Sequence, residues 1–320
     1  MCVETNKNIK NNITATSIKK LTKLIMKIII LGAGAIGSLY AAKLSKLNDV
    51  TVITRQQHAN KINKFGLRII GVENKIYKLK ASTRIQEIGK DTVILLTTKV
   101  YDNKKSINEI KNLIKRDTII LCLQNGLYGE DIVKKIIGYR CMVLRGVTNF
   151  GAIFLKPGVV QFKNYSYTAI EKSKKSQEIA ENFAKCGLNG YVSDNIKFDV
   201  WKKLIFNCVL NPITAILGIE NRGIVNKDLN PLKKAIAEEC LKVAEKVGIK
   251  FDIDFVKIIN KEFKNSRNIS SMQQDLIKGK KTEIDYLNGA VVELGKKHGI
   301  KCPVNEGLIS MIKFLENQKK

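Results

Sequence analysis

The sequence predicts an α/β protein in two parts: a doubly wound, mostly parallel sheet, then an all-α helical region. Three observations carry that prediction. An apolar run at residues 28–31 leads at once into Gly32-Ala33-Gly34-Ala35-Ile36-Gly37 and a helical stretch. Apolar runs of strand length recur through the first half and give way to amphipathic helical patterns after about residue 194. The chain has 320 residues, more than one compact core normally encloses.

Taken in order, residues 27–31 have the unbroken apolar character of a parallel strand covered on both faces. In the glycine run, Gly32 permits a sharp turn, Gly34 lets the backbone approach a pyrophosphate, and Gly37 lets helix and strand pack closely. A helix over 38–47 would turn its free first-turn N–H groups toward phosphate oxygens. Residues 50–54 read as the second strand, which completes a Rossmann-type dinucleotide-binding unit. That strand ends in Thr54-Arg55, with no acid at its tip. A carboxylate there would hold the ribose diol of NAD, whereas an arginine suits the 2′-phosphate of NADP, so NADPH is the expected cofactor. The plainer reading leaves Arg55 as a solvated cation.

Strands over 93–98 and 118–123 end in Lys99 and in Gln124-Asn125-Gly126. Ligands collect at the carboxyl ends of such strands, so Lys99 and Asn125 are candidates to meet cofactor or substrate. Asn125-Gly126 fits a simple turn as well. Strands near 142–148, 159–162 and 166–170, a helix over 173–186 and a strand near Tyr191 complete a first domain, 27–193.

The second domain, 194–320, reads as helices over 195–217, 231–247, 254–264, 282–297 and 304–315. Pro212 is expected to interrupt the first and to free the carbonyl of Cys208. Lys203, Asn207 and Asn211 stand at i, i+4 and i+8, on one side of that helix. Two amides beside a lysine on an apolar helix point to a polar ligand, because buried unpaired amides are costly. The structural alternatives are a snorkelling Lys203 and an Asn211 that supports the kinked backbone. Residues 268–275 and 282–289 are unusually polar. Thr282-x-x-Asp285 fits a capping box, which leaves Glu283 free for another role, and Ser270 fits a cap.

Composition narrows the partners. The formal net charge is +27, but the lysines are spread along the whole chain and interleaved with Asn and Ile, so no nucleic-acid partner is expected. No apolar run reaches about 18 residues, so no membrane span is expected. Seven cysteines, scattered and without C-x-x-C, fit a reduced, cytoplasmic protein. His58 and His298 are the only histidines, which argues against zinc, any other metal site or a Ser-His-Asp triad; both read as surface residues. Residues 1–26, rich in Lys, Asn and Thr, read as a disordered or mis-started extension.

The glycine loop, Lys99, Asn125-Gly126, Trp201-Lys202-Lys203-Leu204, Asn207 to Ala215, Asn268 to Asp275 and Thr282 to Gly289 together resemble the ketopantoate reductase (2-dehydropantoate 2-reductase) family over residues 27–316. The resemblance implies a helical domain of the 6-phosphogluconate dehydrogenase C-terminal type. It implies NADPH-dependent reduction of 2-dehydropantoate to (R)-pantoate, on the route to pantothenate and coenzyme A. The matching cofactor positions are Gly32, Ala33, Gly34, Ala35, Ile36, Gly37, Arg55, Lys99, Asn125, Gly151 and Glu283. Lys203 matches the proton donor. Asn207, Asn211, Asn221, Asn268 and Ser271 match substrate contacts. In this reading Glu283 orients the Lys203 ammonium, and Lys99 adds positive potential near the substrate anion. Two alternatives stay open: a paralogous NADPH-dependent reductase of another 2-keto acid, and a non-catalytic NADP(H)-binding sensor. Monomer and homodimer are both compatible with the sequence.

Overall fold

The computed structural model describes residues 25–318. The expectation for residues 1–26 therefore falls outside the described residues, save Ile25 and Met26. Met26 already belongs to the sheet, since its N–H donates to Asn48 Oδ1 at 3.0 Å and its carbonyl accepts from Asp49.

The chain opens with β1 (Lys27–Leu31), α1 (Ala35–Leu44), β2 (Asp49–Ile53), α2 (Gln56–Phe65), β3 (Leu67–Gly71), β4 (Lys75–Tyr77) and β5 (Lys80–Ser82). It continues through β6 (Thr92–Leu96), α3 (Asn103–Ile110), β7 (Ile119–Cys122), α4 (Gly129–Ile137) and β8 (Met142–Thr148). Then come β9 (Gly151–Lys156), β10 (Val159–Asn164), β11 (Thr168–Glu171), α5 (Ser176–Lys185) and β12 (Gly190–Ser193). One sheet runs β12-β11-β8-β7-β6-β1-β2-β5. Within it β1, β6, β7 and β8 are parallel neighbours, so the ends of all four open on one edge. Their apolar runs are buried between two side-chain layers, as a sheet covered on both faces requires.

In a second sheet, β4-β3-β10-β9, the expected strand at 159–162 is β10, whereas β3, β4 and β9 were not expected. Its strands are short and studded with lysines, and β3 pairs with β10 some ninety positions away, so no local period announces those three. His58, expected at the surface, is buried where α2 meets this sheet. Its Nδ1 accepts from the Gly158 N–H at 2.8 Å, and its Nε2 lies 3.1 Å from Ser38 Oγ. Burial pushes its pKa down to about 4, so it stays neutral near pH 7.

The helical half comprises α6 (Ile196–Leu217), α7 (Asn230–Lys246), α8 (Phe255–Phe263), α9 (Ser271–Ile277), α10 (Asn288–Lys297) and α11 (Pro303–Gln318), around a core of its own. Contrary to expectation, α6 runs unbroken past Pro212. The carbonyl that the proline frees, that of Cys208, accepts instead from Asn288 Nδ2 at 3.0 Å. Asn288 is fully buried and also donates to Asn305, whose amide donates to Glu239. By length and composition α6 could cross a membrane, but 67% of its apolar window is buried inside the protein. The expected helix over 282–297 is two elements. Ile284–Tyr286 forms a 3-10 turn, with Thr282 Oγ1 accepting from the Ile284 N–H, and α10 starts only at Asn288.

Candidate active site

The glycine loop at the end of β1 is built by steric necessity at two positions. Gly32 has φ +101°, and a Cβ there would lie 2.6 Å from the Thr98 backbone N. A Cβ on Gly37 would lie 2.5 Å from the Gly32 carbonyl oxygen. At Gly34, which is exposed, a Cβ would meet nothing within 4 Å, so the space at the N-terminus of α1 is open. The first-turn N–H groups of Ala35, Ile36 and Gly37 have no intrahelical partner. Open space beside such donors fits a dinucleotide diphosphate. Ser38 Oγ, next to His58, donates to the Ala33 carbonyl at 3.3 Å and braces the loop from behind.

Arg55 follows β2, whose Ile53 carbonyl accepts from the N–H groups of Gly32 and Ala33. It is exposed and makes no salt bridge among the described residues.

Past β6, Lys99 Nζ donates to Asp275 Oδ2 at 2.8 Å and to Glu283 Oε2 at 3.0 Å. Burial alone would lower its pKa, but the Glu283 and Asp275 charges outweigh that and hold it above the ordinary lysine value. Past β7, Asn125 Nδ2 reaches the same Glu283 oxygen at 3.4 Å. Asn125-Gly126 is more than a turn. The Gly126 Cβ position lies 2.2 Å from the Tyr286 carbonyl oxygen, and Leu127 N–H donates to that oxygen at 3.1 Å. These contacts join the sheet edge to the 3-10 turn of the helical half.

Lys203 lies at the end of β8, where its ammonium donates to the Thr148 carbonyl. Burial first, then the Arg145 charge, push its pKa down to about 8, with Glu283 acting in the opposite sense. Thr148 is fixed in turn, because its hydroxyl accepts from Tyr40 on α1 at 2.7 Å. Asn207 and Asn211 share the face of α6 with Lys203, and their side-chain amides have no hydrogen bond among the described residues. Asn211 does not support the kink at Pro212, a task that Asn288 performs.

Asn221 N–H donates to the Asn268 carbonyl at 2.7 Å, which brings two candidate substrate positions together, and the buried Asn221 Oδ1 has no partner among the described residues. Ser270 is a cap: its hydroxyl accepts from Gln273 N–H and from Thr214 Oγ1. Ser271 is exposed on the first turn of α9. Gly151 begins β9, and its Cβ position lies 2.0 Å from Asn164 Oδ1.

Two expectations need correction. Glu283 does not orient the Lys203 ammonium by a hydrogen bond; it bonds Lys99, and acts on Lys203 only through its charge. Lys99 does not stand as an unopposed cation, since two carboxylates already meet it. The sequence reading gave no role to Asp275, Thr148 or Arg145. The one local signal was Arg145, a charge inside the apolar strand Met142–Thr148.

Known proteins resemble this chain in sequence and fold. The family described as ketopantoate reductase PanE/ApbA matches residues 28–175, and its C-terminal counterpart matches residues 195–316. A 2-dehydropantoate 2-reductase of Pyrococcus horikoshii is 38% identical over 300 residues, covering 91% of this chain and 98% of that protein. One of Archaeoglobus fulgidus is 32% identical, covering 92% and 99%. Among solved structures, a PanE/ApbA family ketopantoate reductase from Ralstonia eutropha aligns with a TM-score of 0.85 at 29% identity, over 92% of this chain and 99% of its own. A D-mandelate dehydrogenase holding NADH and anilino(oxo)acetate aligns with a TM-score of 0.83, also at 29% identity and with the same coverage.

Proposed function

The chain belongs to the ketopantoate reductase family, and from that premise we propose that it reduces 2-dehydropantoate to (R)-pantoate with NADPH, Lys203 serving as the general acid. Such a step lies on the way to pantothenate and coenzyme A. The observation that carries the proposal is the Lys203 face: an ammonium tuned to about 8, beside two side-chain amides without hydrogen-bond partners among the described residues.

A bound reduced nicotinamide dinucleotide supplies the hydride. Everything else falls to the chain. The open space at Gly34 and the N-terminus of α1 would hold the diphosphate, and Arg55 would pair with the 2′-phosphate. Lys203 would give its proton to the carbonyl oxygen of the substrate as negative charge builds there. A donor with pKa near 8 is charged at neutral pH yet releases its proton readily, which suits that task. Asn207 and Asn211 would bond the substrate hydroxyl and carboxylate. Asn221, Asn268 and Ser271 would close the far side of the same ligand. Lys99 and Glu283 would sit beside the nicotinamide end with Asn125.

The test is NADPH oxidation by the purified protein, offered ketopantoate beside a panel of branched and aromatic 2-keto acids. The expected result is a kcat/KM for ketopantoate well above the others. A second reading has a specific basis, the equal identity to a D-mandelate dehydrogenase. Preference for an aromatic 2-keto acid would select it. Binding of NADPH without turnover of any keto acid would return the protein to the class of nucleotide sensors, which have no use for a tuned lysine.

A further inference from the structure

Arg145 is 4% exposed, in the middle of an apolar strand. Its Nη2 donates to the carbonyls of Gln124, at 2.9 Å, and Gly126, at 2.8 Å. These are the two residues that flank Asn125, so one planar fork fixes the candidate ligand loop from below. Its Nη1 donates to Glu130 Oε2 at 3.0 Å. Glu171 accepts from its backbone N–H and leaves the guanidinium alone. Three residues further along the same strand, the Thr148 carbonyl receives the Lys203 ammonium.

We propose that Arg145 is a positioning residue for the reduction: one guanidinium locks the Asn125 loop and sets a permanent positive charge against Lys203. The inference rests on Lys203 as proton donor. A simple structural tie between β8, the β7 loop and α4 would need the hydrogen bonds but not the charge. An arginine keeps its charge at every working pH, so its effect on a neighbouring lysine does not titrate away. Lys203 faces Arg145 from β8 and Glu283 from the 3-10 segment, with Lys99 at the end of β6 and Asp275 on α9 beyond that carboxylate. Arg145 is itself faced by Glu130 and Asp131 of α4, Glu171 of β11 and Cys122 of β7. Among the described residues only Glu130 pairs with the guanidinium, and it offsets part of the charge; what remains still pushes the Lys203 pKa down.

The experiment is the pH profile of single-turnover NADPH oxidation with ketopantoate, together with the KM for NADPH, in wild type, Arg145→Gln, Arg145→Lys and Glu130→Gln. The wild-type rate should fall through a basic limb near 8, as Lys203 loses its proton. Removing a positive neighbour makes the lysine a weaker acid, so Arg145→Gln should move the limb up by about half a unit or more. It should also raise the KM for NADPH. Arg145→Lys should keep the limb in place yet still raise the KM, because a lysine carries the charge without the fork. A folded Arg145→Gln with an unmoved limb, or one shared profile for the Gln and Lys variants, overturns the proposal. Glu130→Gln keeps the guanidinium and strips its counter-charge, so it should move the limb down; no shift there overturns the proposal even where Arg145→Gln fails to fold. If Lys203→Ala keeps the limb, the proton-donor reading has failed first and takes this inference with it. An unmoved limb in the Arg145 and Glu130 variants, with Lys203→Ala abolishing it, fails the inference alone.

Discussion

Lys99 and Lys203 stand at the same edge of the same sheet, and the fold treats them in opposite ways. Lys99 donates to two carboxylates, Asp275 and Glu283, whose charges lift its pKa above the ordinary range. Lys203 has no carboxylate partner among the described residues. Its ammonium donates to a neutral carbonyl, burial and Arg145 weigh against its charge, and its pKa falls to about 8. The residue type is the same, and what differs is the charge of what each touches. A lysine clamped by two acids is a fixed cation that joins the two halves of the molecule. A lysine held by a neutral acceptor can let its proton go near neutrality.

The sharpest way to break that contrast is to remove each lysine in turn. Lys203→Ala should lower kcat at least about a hundredfold, the scale of a lost general acid, with NADPH affinity nearly unchanged. Lys99→Ala should act mainly on binding, raising the KM for NADPH or substrate about tenfold, as the loss of one charge-assisted contact does. Steady-state kinetics on both variants decide the matter. A larger kcat loss in Lys99→Ala than in Lys203→Ala would exchange the two roles.

Arg55 adds a third cation with a different setting, exposed and without a salt bridge among the described residues. Its value therefore lies in the ligand it meets. Arg55→Ala should weaken NADPH about tenfold and leave NADH nearly untouched. Titration of both dinucleotides by fluorescence measures this, and equal losses would remove the 2′-phosphate assignment.

How much of this was legible in the sequence depends on the range of the interaction. The glycine turn and the Lys203-Asn207-Asn211 stripe are set by neighbours within eight residues, and both read directly. The helix over 195–217 and the carbonyl that Pro212 frees read as well, but its unbroken course did not, because the side chain that satisfies the Cys208 carbonyl comes from Asn288, eighty positions on. The same holds for His58, whose burial depends on a hairpin a hundred residues away. At the site, Glu283 was recognisable as a free carboxylate, but its choice of Lys99 over Lys203 is a matter of three-dimensional approach. Asp275 and Arg145 acquire meaning only when the sheet edge and the helical half meet.

Glu283 is the point where the two lysines are joined, so it yields the finest test of the contrast. Its charge raises the pKa of both, directly at Lys99 and across space at Lys203. Glu283→Gln removes that charge and keeps the shape. Lys99 retains Asp275 and stays protonated at any working pH. Among the described residues Glu283 is the one charge that holds the Lys203 pKa up, so without it Lys203 becomes a stronger acid and the basic limb of reduction should slide below 8. The rate above pH 8 should fall several-fold relative to wild type, while the rate near pH 6 changes less. Arg145→Gln, which strips a positive neighbour, should move the same limb the other way. Two substitutions to the same neutral residue, shifting one profile in opposite directions, would show that Lys203 senses a balance of charge. A limb that stays fixed in Glu283→Gln would mean that Lys99 screens the carboxylate completely and that the two lysines work without reference to each other, and one that rises would overturn the charge balance itself.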